Sequence, residues 1–179
     1  VRDAFGVKPL YYSENEDSFY FSSEIKSLLK ILPEKEIIKN NENYDIDSIN
    51  RYLTYLWNPG NGTPTKLIKK LGPGEYLKIK KGKIIEHKKW YVLPLIRNKF
   101  ANKPHKKIQS ELTELLRKAV KRQLVADVPL GAFLSGGLDS STIVKFAKDE
   151  MKELETFTIK IKGCNEKNIN DDYKYAVKV

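Results

Sequence analysis

GAFLSGGLDSSTIV, residues 131–144, passes from small and apolar residues into a septet of two glycines, three serines and one carboxylate, then into helical spacing. LGAFL reads as a buried strand, SGGLDSS as a loop, STIVKFAKDEM as a helix beginning near Ser140, and ETFTIKI as a second strand. Strand, loop, helix, strand is a βαβ unit, which demands a parallel sheet with helices packed on it. Ligands of open α/β sheets bind beyond the carboxyl ends of the strands, and the septet falls there.

The residue types say what such a loop can hold. Gly136 and Gly137 let the backbone turn tightly and bring its N–H groups close to an anion with no Cβ in the way. The hydroxyls of Ser135, Ser140 and Ser141 add donors, and the following helix presents unpaired N–H groups at its N-terminus. This is a cradle for phosphate. Asp139 would repel phosphate oxygens unless a divalent cation lay between them, and Mg²⁺ is commonly held by one or two carboxylates plus phosphate oxygens. The septet therefore implies a metal-bound polyphosphate. It is neither a Walker loop, which needs Lys and then Ser or Thr after its glycines, nor a G-x-G-x-x-G dinucleotide turn.

Working outward, Ile108, Leu112, Leu115, Leu116, Ala119 and Val120 mark one apolar face of a long helix from Lys106 to about Ala126. Before it, LPLIRNKFANKPH is irregular and reads as a linker. The first half is β-rich. PLYYS and SFYFSS form a hairpin across ENED, and GPGEYLKIKK and KIIEHKKWYV form another around Gly82. Between them, Ser22 or Ser23 caps a helix carrying Ile25, Leu28, Leu29 and Leu32, with Glu24 as the acid of a capping box. Asp47 caps a second helix, which NPGNGTP ends. The expected division is residues 1–95, a linker at 96–105, and residues 106–179.

The formal net charge is +10, but the lysines are scattered through strands and helices with no arginine-rich tail, so they read as solvated surface. No apolar run approaches the ~18 residues that span a bilayer. A single cysteine excludes an intrachain disulfide framework and suits a reducing cytoplasm. The chain starts at Val1 and stops inside an apparent helix, and so reads as an internal piece of something longer.

SGGLDSS resembles the pyrophosphate loop of the ATP-pyrophosphatase superfamily. With DVPLGAFL before it and FTIKI after it, it closely resembles the glutamine-hydrolysing asparagine synthetase family. RDAFGVKPLYY, FSSEIKSLL, YLTYLWNPGNGTP, IKKLGPGEYL and WY resemble, in order, the end of that family's class II glutaminase domain. The resemblance implies an α/β chain: residues 1–95 as the C-terminal part of an α+β N-terminal-nucleophile glutaminase domain, and residues 106–179 as the start of a parallel α/β ATP-pyrophosphatase domain.

It further implies a cytoplasmic ligase that amidates aspartate with ATP and glutamine through an acyl-adenylate, releasing AMP and pyrophosphate. Ser135, Gly136, Gly137, Leu138, Asp139, Ser140 and Ser141 would hold ATP and its pyrophosphate, with Mg²⁺ on Asp139. Leu134 and Ile159 match nucleotide-contacting positions but equally suit ordinary sheet core. No nucleic acid or membrane partner is implied, and the resemblance leaves room for a homodimer. Relatives that amidate sugar acids or close a β-lactam share the loop, and a basic nucleic-acid or tRNA-modifying module is a reading from another class. The N-terminal cysteine nucleophile of the family has no counterpart here, so no catalytic residue is assigned; Cys164 reads as an inert thiol. Arg2 and Asp3 read as an ion pair or turn, and His87 and His105 have no metal-ligand spacing.

Overall fold

A computed structural model describes residues 1–32, 43–95, 102–160 and 171–179. The chain forms two compact units, Val1–Leu95 and Ile96–Val179, each with its own apolar core.

In the first unit β1, Tyr11–Glu14, and β2, Phe19–Ser22, form the expected antiparallel hairpin, with Tyr11 opposite Ser22. Its turn closes on Asn15, whose Oδ1 accepts the N–H groups of Asp17 and Ser18 at 3.2 and 2.8 Å. Asparagine favours this turn because its side chain mimics the next peptide carbonyl. α1, Ile25–Ile31, buries Leu28 against Leu32 and Ile68, with Tyr11 and Tyr20 packed around them. Each such buried aliphatic side chain contributes about 1.5–3 kcal/mol.

The capping of α1 differs from expectation. β2 runs through Ser22, so the serines stay outside the helix and Glu24 is itself the N-cap, without a side-chain cap bond. Ser22 Oγ accepts the Glu24 N–H at 3.2 Å, and Glu24 pairs with Lys26 at 2.9 Å. α2, Ile46–Tyr55, is capped by Asp45 and not by Asp47, which sits in the first turn. Asp45 Oδ1 accepts the Ser48 N–H at 3.0 Å and Oδ2 the Ser48 hydroxyl at 2.7 Å. The helix stops at Leu56, in the left-handed region with φ 58°, before the prolines are reached.

A short strand that the sequence did not announce, β3, Lys69–Lys70, pairs antiparallel with β1 and gives the order β2-β1-β3. β4, Glu75–Lys80, and β5, Lys83–Lys89, form the second expected hairpin. Lys81 and Gly82 at its tip have φ 49° and 74°, the positive values that a two-residue hairpin turn requires.

The second unit opens with α3, His105–Gln123. The parallel pair β6, Gly131–Phe133, and β7, Glu155–Phe157, flanks α4, Leu138–Glu150, so the βαβ unit is formed. α5, Asp171–Ala176, follows. The core joins Leu134, Val144 and Ala176, with Ala132 and Leu154 against it. Charged groups tie α3 to α4: Arg117 pairs with Asp149 at 3.1 Å and stacks on Phe146 at 5.0 Å, and Lys121 pairs with Glu150 at 2.7 Å.

Three expectations are corrected here. β6 is not a buried strand: Phe133 is 80% exposed, and burial begins only at Leu134, past the strand's end. Among the described residues its single partner is β7, which leaves its other edge open. α4 starts two residues before Ser140, placing Asp139 in its first turn. The apolar face of α3 holds no fully buried residue, with Leu112 and Leu115 exposed. Among the described residues no helix is long and apolar enough to cross a membrane.

Candidate functional site

The loop between β6 and α4 is bent by Gly136, which has φ +73°. It is held by a small set of hydroxyl bonds. Ser135 Oγ and Ser140 Oγ lie 3.0 Å apart and share a hydrogen bond, and the Ser140 hydroxyl also reaches the Gly137 carbonyl at 3.2 Å. The Ser135 and Gly137 N–H groups meet these hydroxyls only at 3.4 Å, the weak end of the range.

The N-cap of α4 is Gly137, which has no side chain to satisfy the helix's first donors. Ser141 N–H reaches the Gly137 carbonyl at 3.0 Å and so begins the helical ladder. The N–H groups of Leu138, Asp139 and Ser140 precede it and have no intrahelical acceptor. Donors at this end carry a partial positive charge. Ser141 adds one more polar group: its hydroxyl is buried and has no hydrogen-bond partner among the described residues.

Beside the loop lies a cleft of about 360 Å³, lined by Phe133, Leu134, Ser135, Ser140, Phe157, Thr158, Ile159 and Asp172. Four residues singled out from the sequence, Leu134, Ser135, Ser140 and Ile159, thus come together on one cavity. Leu134 and Ile159 differ in kind. Leu134 is 5% exposed in the core, its N–H donating to the Phe157 carbonyl at 2.9 Å and its carbonyl accepting the Thr158 hydroxyl at 2.6 Å. Ile159 is 75% exposed at the cleft's edge and packs in no core.

The rest are placed otherwise. Leu138 and Asp139 are exposed on the first turn of α4 and do not line the cleft. Gly137 has open space where a Cβ would go, apart from Ser135 Oγ at 3.3 Å, as an anion-facing glycine requires. Gly136 has none: a Cβ there would stand 2.5 Å from the Ala176 nitrogen and 2.4 Å from Tyr175 Cβ. Its bareness is required by the approach of α5. Sequence reasoning missed Thr158 and Asp172. Thr158 sits inside the strand-like run FTIKI and Asp172 opens a short helix, and neither carries a local signal.

Two family profiles match the chain in order: the glutamine amidotransferase domain over residues 1–91 and asparagine synthase over residues 111–179. The chain belongs to the glutamine-hydrolysing asparagine synthetase family.

Asparagine synthetase [glutamine-hydrolyzing] 1 of Bacillus subtilis is 33% identical over 159 residues, covering 89% of this chain and 24% of that protein. Asparagine synthetase [glutamine-hydrolyzing] 2 of the same organism is 32% identical over 192 aligned positions, covering 98% of this chain and 23% of the relative. Asparagine synthetase [glutamine-hydrolyzing] of Zea mays is 30% identical, covering 91% of this chain and 23% of its own length. The chain thus spans about a quarter of the length of these curated relatives. Its mixed α/β architecture covers parts of the amidotransferase and asparagine synthase domains of that family.

The donor set of the asparagine synthase portion suits a polyphosphate with its cation. Among the described residues no three His, Cys, Asp or Glu side chains converge on a metal position, and Asp139 is the carboxylate carried by the donor-rich turn itself. A cation sharing one carboxylate and several phosphate oxygens needs no more than that. In the amidotransferase portion, Arg2 and Asp3 form no ion pair with each other. Arg2 is buried and donates to the Lys8 and Gly6 carbonyls at 2.9 and 2.7 Å and to the Leu71 carbonyl. Asp3 closes a turn by accepting the N–H groups of Val7, Lys8 and Phe5, which hold its carboxyl below the usual aspartate value. His87 pairs with Glu75 at 2.8 Å, and Cys164 lies outside the described residues.

Proposed function

We propose that this chain is the middle of an enzyme that amidates the side-chain carboxylate of aspartate, using ATP and glutamine. Residues 1–95 belong to its glutaminase domain and residues 106–179 open its ATP-pyrophosphatase domain, with a linker at 96–105. The observation that carries the reading is the parallel βαβ unit, with the SGGLDSS turn at the carboxyl end of β6 and N–H donors without an intrahelical acceptor opening α4. The family and the names of the relatives supply the rest.

In this reaction an oxygen of the aspartate side chain attacks the α-phosphorus of ATP. The bond from that phosphorus to the bridging oxygen breaks, and pyrophosphate leaves with the electron pair. Ammonia, freed from glutamine by water with glutamate as co-product, then attacks the acyl carbon. AMP departs and a proton is lost from nitrogen. The residues of this chain act on the leaving pyrophosphate. Ser135, Gly137, Ser140 and Ser141, with the N–H groups of Leu138 and Asp139, donate to its oxygens as charge develops there. Gly136 sets the turn, and Leu134 and Ile159 border the nucleotide. Asp139 would hold Mg²⁺, which when bound neutralises polyphosphate charge.

The test uses the intact protein with Mg·ATP, glutamine and aspartate, followed by mass spectrometry. Asparagine, AMP, pyrophosphate and glutamate should appear in equal amounts. If another carboxylate, such as a sugar acid, drives AMP release and aspartate does not, the loop assignment stands and the acceptor is wrong. ATP that remains uncleaved at the α-phosphate with every carboxylate sinks the whole reading.

A further inference from the structure

Among the described residues, Asp172 is the one carboxylate that lines the loop cleft. It comes from α5, which is fixed against the loop from two sides. Ala176 is 9% exposed in the core with Leu134 and Val144, and the α5 backbone passes so close to Gly136 that no Cβ fits. One residue on, the Lys160 ammonium lies 4.4 Å from the centre of the Tyr173 ring. Thus the carboxylate's backbone position is held, while no hydrogen bond or ion pair reaches its side chain among the described residues.

A second carboxylate beside an anion-binding turn that already has Asp139 for a cation suits a bipolar ligand, with phosphate at one end and hydrogen-bond donors at the other. The rest of the lining supports that division. Ser135 and Ser140 occupy the phosphate side, and Phe133, Phe157 and Ile159 offer exposed apolar surface, the two rings meeting edge-to-face at 6.4 Å. Apolar faces suit a base, and a carboxylate suits the hydroxyls of the sugar between base and phosphate. A volume of about 360 Å³ lies within the range of small-molecule sites.

We propose that the Asp172 carboxylate accepts a hydrogen bond from a ribose hydroxyl of the nucleotide and thereby selects ribonucleotides; this rests on the nucleotide reading given above. Asp172 is a specificity residue and takes no part in bond breaking. A hydrogen bond to a charged acceptor changes affinity by about tenfold to a hundredfold.

The experiment is calorimetric titration of the intact protein, in Mg²⁺, with ATP, 2′-deoxy-ATP, 3′-deoxy-ATP and inorganic pyrophosphate. Wild type should bind ATP about tenfold to a hundredfold more tightly than one of the deoxynucleotides. Asp172→Ala should bind ATP and that deoxynucleotide equally, with pyrophosphate affinity unchanged. Asp172→Asn, which keeps an acceptor and the shape of the side chain, should fall between and carries the test if the alanine variant fails to fold. A sugar preference that survives in either variant overturns the proposal, as does equal wild-type affinity for all three nucleotides. So does an equal loss for ATP, both deoxynucleotides and pyrophosphate. A wild-type protein that binds neither ATP nor pyrophosphate overturns the nucleotide reading itself.

Discussion

Three acids of the first unit, Asp3, Asp45 and Glu75, and the acid of the SGGLDSS turn are used in opposite ways. Asp3 accepts three backbone N–H groups, Asp45 caps α2 through both oxygens, and Glu75 accepts the Gly72 N–H at 2.9 Å and the His87 ring at 2.8 Å. Each of these three carboxylates is spent on holding backbone or a neighbouring side chain. In the β6–α4 turn, no hydrogen bond or ion pair reaches the Asp139 carboxylate among the described residues, although donors lie in the same turn of helix. A fold that merely needed a tight corner could cap α4 with a side chain, as Asp45 caps α2. Instead the cap is a glycine and the donors stay open. The three satisfied acids hold scaffold, and the open turn is what the proposed pyrophosphate site requires.

The comparison is broken most severely at Gly136. Gly136→Ala places a Cβ at φ +73°, which costs roughly 1–2 kcal/mol in the left-handed region. It also drives the Cβ into the backbone of Tyr175 and Ala176, and such overpacking adds typically about 1–3 kcal/mol. The second unit should lose stability, with amide exchange accelerating first in α5. The readout is hydrogen exchange across 171–176 in the intact protein. Unchanged protection there would mean that α5 does not depend on this glycine.

A smaller effect, confined to the first unit, follows from Glu75. Burial works to raise its pKa, but the His87 and Gly72 hydrogen bonds outweigh it and hold the carboxyl below the usual glutamate value. A carboxyl with a lowered folded pKa adds stability that is present above its unfolded value, about 4.3. That stability is lost as pH falls through the lower folded value. Asp3 and Asp45 are lowered too, by hydrogen bonds from Val7 and Ser48 foremost, and act in the same acid window. Glu75→Gln should therefore flatten part, not all, of the stability loss on acidification. Unfolding midpoints of both proteins measured from pH 6 down to pH 3 settle it; parallel curves would remove Glu75 from the account.

What could be seen in the sequence was whatever local pattern determines. The two hairpins announce themselves by alternation around polar or glycine turns, and the βαβ unit by a septet that fits only between a strand and a helix. The misreadings turn mostly on pairing partners, and in one case on a local capping bond. β3 is two lysines with no alternation and exists because β1 offers it a ladder. The serines before α1 were good caps by type, yet β2 claimed Ser22 first. The helix of Asp45 starts where the Ser48 hydroxyl can close a second bond, although Asp47 is an equally good cap by residue type. At the site, the donors were legible as residue types. The different duties of Gly136 and Gly137, and the arrival of Thr158 and Asp172 at the cleft, were not, because α5 and the residue just past β7 supply them from elsewhere in the chain.

Asp139→Asn should give the smallest change in stability and is the sharpest use of the comparison. The side chain is exposed and unbonded among the described residues, so its replacement should move stability by no more than about 0.5 kcal/mol. An equivalent change at Asp45 would remove a cap and cost about 1 kcal/mol. Activity should run the other way: Asp139→Asn should slow aspartate-dependent pyrophosphate release at low Mg²⁺ by at least about tenfold, the scale on which ligand-shell losses act. Added Mg²⁺ should recover part of the rate. If the variant keeps the wild-type rate and Mg²⁺ dependence, the carboxylate is ordinary surface, and the turn binds its anion through N–H and hydroxyl donors alone. If stability falls as it would at Asp45, Asp139 joins the scaffold acids, and the contrast between the two units fails at its central residue.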